Sequence, residues 1–197
     1  MDLLRRSIDR RVAAALALRL VLAPVVLCSS TVLGAETASE REVKAAMLYN
    51  FTKFVEWPSG ALGESGAPVT ICVAGRDPFG PALEQAVADR TAYGRPIRIA
   101  KASRVEELKG CHILYVSISE RKYLSETLEA IAQPGVLTVS DIEDFTHQGG
   151  IVGFVLRDSK VRFEVNLDAA EKARLKISAR LLKLATEIHH SGSGGRN

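Results

Sequence analysis

Apolar and polar positions change period several times along the chain, and each change marks an element. Val43, Met47, Phe51, Phe54 and Val55 recur at helical spacing, with Ala46 alongside. Ser39 with Glu42 forms a capping box, which predicts a helix starting there. It should end before Trp57-Pro58, because the residue ahead of a proline is pushed out of the α region. Ser59 to Pro68 is rich in Gly, Ser and Pro and reads as a loop. Val69 to Ala74 is a short, continuous apolar run, the mark of a strand buried on both faces. Gly75 to Gly80 turns the chain into a helix from Pro81 to about Asp89.

The same alternation continues. Ile97 and Ile99 mark a second strand, Ser103 to Lys109 a short helix, and Ile113 to Ile118 a third strand. Ser119 is placed to cap a helix through Ala132, with Tyr123, Leu124, Leu128 and Ile131 on its inner side. Val136 to Val139 is a fourth strand. After Gly149-Gly150, Ile151 to Leu156 and Val161 to Val165 flank Arg157-Asp158-Ser159-Lys160, which reads as a hairpin connection. Val161, Phe163 and Val165 alternate with Arg162, Glu164 and Asn166, so one face of that strand is polar. A last helix follows Ser178, carrying Leu181, Leu182, Leu184, Ala185 and Ile188. Strand and helix alternate, so the fold class is α/β: a single Rossmann-like domain, its sheet largely parallel with flanking helices, closed by a C-terminal β-hairpin plus helix.

The first 35 residues read differently. Arg5, Arg6, Arg10 and Arg11 form a basic start; Val12 to Leu27 is apolar apart from Arg19, and small residues follow to Ala35. This is the order of a secretory signal peptide, with cleavage after Gly34 or Ala35. A retained membrane anchor is the competing reading, but the apolar run falls short of the roughly 20 residues a spanning helix needs. Lipidation at Cys28 lacks the small residues wanted before it. The expected organisation is therefore a cleaved signal peptide over 1–35, an exported folded domain over 36–190 and a disordered Gly/Ser tail over 191–197.

The leader changes the charge picture. The chain of 197 residues has 26 Lys+Arg, 23 Asp+Glu and a net charge of +3, which would suggest nucleic acid or an anionic membrane as partner. Five of those basic residues and two of the acidic ones lie in the leader, leaving 21 of each. The domain itself is neutral, and no nucleic-acid partner is expected. Two cysteines remain, Cys72 and Cys111. In an oxidising compartment an even pair reads as one disulfide; the competing reading is two separate buried thiols. No Cys-x-x-Cys or zinc spacing is present.

Catalytic motifs are also missing: there is no Gly-x-Ser-x-Gly, no His-Glu-x-x-His and no phosphate loop with its lysine. Gly75 to Gly80 sits where an anion cradle could form, but Pro78 and Pro81 each remove a backbone donor, so it reads as a turn. His112 reads as a structural histidine at a strand start. His147, near Asp141, Glu143 and Asp144, sketches a metal site but reads better as part of a solvated turn, and His189-His190 supports adventitious metal at most. No enzyme activity, cofactor or resident metal is expected. Glu164 and Asn166 share a strand face and are candidates for holding a ligand or partner, against a local network that holds the Asn166-Leu167-Asp168 turn. Trp57 is likewise either a core plug or a binding anchor.

Three segments carry a resemblance. Lys44 to Pro58 (KAAMLYNFTKFVEWP) resembles the opening motif of the YfiR family of exported bacterial regulators, Val161 to Ala170 (VRFEVNLDAA) its second signature, and Leu175 to Ala185 (LKISARLLKLA) its closing helix. Gly149-Gly150 sits where that family has a glycine pair. The resemblance implies a periplasmic, non-enzymatic α/β regulator that can dimerise. Its partner would be the periplasmic domain of an inner-membrane diguanylate cyclase, whose cyclic-di-GMP output it represses, thereby controlling biofilm formation. Cys72 and Cys111 match one disulfide of the family pattern. A second cysteine pair is missing, with Thr146 and Gly153 near its places. The rival expectation is a periplasmic small-ligand receptor feeding a membrane sensor kinase, with Trp57, Glu164 and Asn166 lining one pocket.

Overall fold

The computed structural model describes residues 33–102, 105–108, 110–131 and 134–190; most of the expected leader and all of the tail lie outside them. Helix α1 (Leu33–Phe54) leads into β1 (Val55–Glu56), followed by β2 (Val69–Ala74), α2 (Pro81–Val87), β3 (Thr91–Ala92) and β4 (Arg95–Ala102). A 3-10 turn precedes β5 (Ile113–Val116), and another leads into α3 (Leu124–Ala130) and β6 (Leu137–Ser140). The chain continues through β7 (Val152–Arg157), β8 (Lys160–Asn166), α4 (Leu167–Lys172), β9 (Lys176–Ile177), α5 (Ala179–Leu182) and β10 (Glu187–His189).

The main sheet has eight strands in the order β10-β8-β7-β6-β5-β2-β4-β3. β4, β2, β5, β6 and β7 pair in parallel, β7 and β8 form an antiparallel hairpin, and β10 returns parallel to β8. The α/β expectation and its largely parallel sheet hold. Every residue of β2, β5 and β6 is buried, and β5 is accordingly apolar throughout, while Thr70 of β2 and Thr138 and Ser140 of β6 are buried polar residues. Their side chains feed two cores, one per face. Ile71, Val73, Ile113, Tyr115, Leu137 and Val139 meet α1, α2, α4 and α5 on the first face. Cys72, Ala74, Leu114 and Val116 meet Leu108, Leu124, Ile131, Ile142 and Phe145 on the second.

Several local expectations are corrected. α1 runs through Ser39 instead of starting there, because Ala35, Glu36 and Ala38 are helix-compatible and nothing stops the helix ahead of it. Its buried stripe is Ala45, Leu48, Tyr49, Phe51, Thr52 and Val55, while Val43 and Ala46 face solvent. Half of this helix is apolar, so several stripes were available, and packing of Phe51 against Phe154, stacked, and Phe163, edge-on, selects one. The helix before β6 is capped by Ser117, whose side chain accepts from the Ser119 N–H, and it opens as 3-10; Tyr123 is exposed. The expected last helix is a single turn, α5, after which Thr186 donates to the Phe163 carbonyl through its N–H (2.9 Å) and Oγ1 (3.0 Å). That contact turns Ile188 into a strand residue of β10. The helix stop before Trp57-Pro58 and the β7–β8 hairpin hold. The hairpin turn has Asp158 and Ser159 at φ 50° and 57°, left-handed positions that suit a two-residue connection.

Cys72 and Cys111 are bridged, with Cα atoms 5.7 Å apart across a separation of 39 residues. The bridge ties β2 to the entry of β5 inside the second core. His112, next in sequence, is buried. Its Nδ1 accepts from the Thr70 N–H (2.9 Å), so Nε2 carries the hydrogen and donates to the Ala61 carbonyl (3.1 Å). Burial lowers its pKa, the Ala61 carbonyl opposes that, and Arg95 and Arg98 lower it further, for a net value below 6.5.

Two outcomes follow from these contacts. Replacing both Cys72 and Cys111 by Ala should cost about 4 kcal/mol, read as a lower midpoint in denaturant unfolding under non-reducing conditions; an unchanged midpoint would show that the bridge adds nothing. The unfolded chain binds a proton at His112 more readily than the folded one, so stability is full above its ordinary pKa of about 6.5 and falls as pH drops below it. Thermal melts at about pH 7.5 and about pH 5 should therefore differ more for the parent than for His112→Gln.

Candidate functional site

In a doubly wound sheet the usual ligand crevice lies at the carboxyl ends of the strands where the order reverses, here between β2 and β5. This chain fills that crevice itself. Gly75, at φ +82°, is so close to Ser119 that an added Cβ would stand 2.4 Å from the hydroxyl. The Arg76 N–H donates to Ser119 Oγ (2.9 Å), and the Phe79 N–H to Asp77 Oδ1 (2.7 Å). Two of the loop's backbone donors are thus occupied by its own side chains and by Ser119.

Beside the crevice, Lys44 of α1 reaches Asp141 after β6 (3.1 Å) and Glu40 one turn back (2.6 Å). Burial alone would lower the Lys44 pKa, but hydrogen bonds and charge from Glu40 and Asp141 outweigh it and hold the ammonium above its ordinary value. Tyr115 lies beneath, fully buried and edge-on to Phe79 at 4.7 Å. Burial first, then the Asp141 carboxylate, raise its pKa, so the phenol stays protonated. Helix α1 is thereby pinned over the strand ends by an ion pair set among aromatic rings.

The open chemistry lies at the other end of the sheet, on the second face. Alternation along β8 buries Val161, Phe163 and Val165 and turns Glu164 and Asn166 outward. β10 pairs Glu187 with Glu164 and His189 with Asn166, so both of its polar residues extend the same face. His147, from the loop between β6 and β7, lies against His189 with ring centroids 4.2 Å apart. The acidic residues expected around His147 are engaged elsewhere: Asp141 with Lys44, and Glu143 with Arg121 at 3.3 Å. Sequence reading missed the pairing of His147 with His189, because β10 had been read as helix.

The three candidate binding residues do not share one pocket. Asn166 caps α4, its Oδ1 accepting from the Ala169 N–H (2.9 Å), and its Nδ2 donates to the Thr146 carbonyl (2.7 Å). It also lines a cleft of about 340 Å³ with an apolar floor of Leu128, Ile131, Val136 and Ile151 and polar residues His147, Asp168 and Lys172. Glu164, partly covered and 3.4 Å from Arg157, lines a separate groove of about 420 Å³ along β7 and the loop at Ile142 to Phe145. Trp57 lines neither of these but a third cleft, of about 280 Å³, with Tyr93 and Arg95. Its Nε1 donates to the Gly135 carbonyl (3.0 Å) and its ring meets Tyr93 edge-on. Burial, then the charge of Glu56, raises the Tyr93 pKa. Arg95 holds the neighbouring loop by donating to the carbonyls of Leu62, Gly63, Glu64 and Ala67. Trp57 and Asn166 therefore both perform structural work at the edge of a cleft.

The glycine pair has a steric role. A Cβ at Gly150 would stand 2.1 Å from the ring of Phe145, which is itself buried, so the strand can enter β7 only without a side chain there.

A family model described as YfiR/HmsC-like matches residues 41–186. The chain belongs to the YfiR/HmsC-like family. Membership suggests a periplasmic protein of regulatory kind. No helix among the described residues is long and apolar enough to cross a membrane. Solved structures similar to this YfiR/HmsC-like chain include a conserved domain protein from Vibrio cholerae (11% identity, 74% of this chain and 60% of that one, TM-score 0.48). Another is an ABC domain in complex with L-Trp from Streptococcus pneumonia (12% identity, 78% and 60%, TM-score 0.44). The chain spans 60% of the length of each.

Thr146 and Gly153, near the places of the family's second cysteine pair, are neighbours: a Cβ at Gly153 would stand 3.3 Å from Thr146 Cγ2. That is close to the spacing a disulfide sets between one Cβ and the far sulfur. In protein without residues 1–35, and so without Cys28, the double substitution Thr146→Cys with Gly153→Cys should form a second bridge on oxidative folding, leaving no free thiol in a thiol titration. Two free thiols would show that the loop and β7 hold these positions apart.

Proposed function

We propose that this protein is exported to the periplasm, where it binds the periplasmic domain of an inner-membrane diguanylate cyclase and represses its cyclic-di-GMP output. Membership of the YfiR/HmsC-like family over residues 41–186 carries this reading. The crevice between β2 and β5, the usual ligand position of such a sheet, is filled by Ser119 against Gly75, which agrees with this reading. Repression needs no chemistry: a regulator that binds the inactive state of its partner more tightly shifts the equilibrium by that difference alone. About 1.4 kcal/mol of differential affinity changes the ratio of states tenfold.

The cleft of about 340 Å³ beside Asn166 favours a second reading, in which the protein is a small-ligand receptor feeding a membrane sensor kinase. Its size suits a small organic molecule, and its apolar floor with a polar rim is the usual build of such sites.

Deleting the gene and measuring cellular cyclic-di-GMP should give a rise, reversed by the gene supplied in trans. Unchanged cyclic-di-GMP, with the protein normally expressed in the parent strain, would overturn the cyclase reading. The receptor reading would gain from a metabolite that raises the melting temperature of the purified protein in a thermal-shift screen.

A further inference from the structure

The face shared by β8 and β10 brings together two imidazoles and a carboxylate that the regulatory reading does not use. We propose that His147, Glu187 and His189 form a binding site for a divalent transition-metal ion of the zinc class. Glu187 and His189 are two positions apart on β10, so they project to the same side. His147 meets them from the β6–β7 loop. One donor atom from each lies within 4.8 Å of the others. A tetrahedral ion with bonds of about 2.0–2.2 Å holds its donors roughly 3.3 Å apart, so modest side-chain rotation closes the set. His147 and Glu187 are exposed and have room to turn.

The setting of His189 is the second, independent observation. Its Nδ1 faces Glu187 Oε1 at 3.7 Å, and its Nε2 faces Glu164 Oε2 at 3.8 Å. Nε2 is buried and has no hydrogen bond. A metal on Nδ1 would leave the ring hydrogen on Nε2, pointing at the Glu164 carboxylate. That is the carboxylate–histidine–metal relay by which proteins fix the orientation of a ligating imidazole. Glu164 is then a positioning residue, and a small tightening of the ring toward it supplies the missing bond. Imidazole nitrogen with one carboxylate suits Zn²⁺, Ni²⁺ or Cu²⁺ and is poorly matched to Mg²⁺ or Ca²⁺, which prefer all-oxygen shells. Three protein donors leave a position for water.

Calorimetric titration of the purified, tag-free protein with zinc chloride tests the site. One equivalent should bind per chain, and magnesium chloride should give no comparable heat. His147→Ala, Glu187→Gln and His189→Ala should each weaken binding at least tenfold. Glu164→Gln should weaken it roughly 10–100-fold by releasing the ring, while His190→Ala should leave it unchanged. Metal-free melting temperatures check folding, and the exposed His147 and Glu187 should vary without loss. If His189→Ala does not fold, the His147→Ala and Glu187→Gln proteins decide. The proposal is overturned by the absence of saturable zinc binding, by binding that survives both of those substitutions together, or by binding abolished through His190→Ala alone.

Discussion

Complete burial of β2, β5 and β6 is the constraint on which the other elements depend. A strand buried on both faces needs cover on both, and the chain meets this with two unequal layers. One is built mainly from the long α1 with α2, α4 and α5; the other from a short α3, 3-10 turns and the loop at Ile142 to Phe145. The thin second layer is where the disulfide lies. Its contribution comes from restricting the unfolded chain across a separation of 39 residues. The thick layer is instead anchored by Lys44, whose pairing with Asp141 fixes α1 over the strand ends.

That anchoring bears on function through the space it removes. Doubly wound sheets commonly leave their order-reversal crevice open for a cofactor or substrate. Here Ser119 presses against Gly75, and Lys44, Asp141, Tyr115 and Phe79 pack the neighbouring strand ends. The fold keeps the frame of a ligand-binding architecture while stabilising a closed version of it. The open clefts lie instead around the polar face of β8, a surface assembled from segments far apart in sequence.

How much of this could be read from the sequence depends on how local the deciding interaction is. The buried strands were legible because complete burial writes itself as an uninterrupted apolar run, as in Ile113 to Val116. The polar face of β8 was legible because period-two alternation needs no partner to interpret. The burial stripe of α1 was not, since its many apolar positions allow several stripes and only Phe154 and Phe163 choose among them. The end of the chain was misread for a similar reason. Leu181 to Ile188 has helical spacing, yet Thr186 bonds to the Phe163 carbonyl and converts the segment to a strand, a contact made to another element. Missing that strand hid the approach of His189 to His147. The family resemblance compensated in part, because it rests on residue identities and not on predicted elements.

Both borders of the main sheet are very short: two residues in β3 and three in β10. Short borders leave part of their longer neighbours uncovered: β3 pairs only with Arg95 and Pro96, and β10 only with Glu164, Val165 and Asn166. The outer edge of β4 over 97–102 therefore has no strand partner among the described residues. Arg98 and Lys101 are exposed along it, and charged side chains on an edge are a known guard against edge-to-edge aggregation. An added strand would find its main-chain hydrogen bonds there and not at the two short borders.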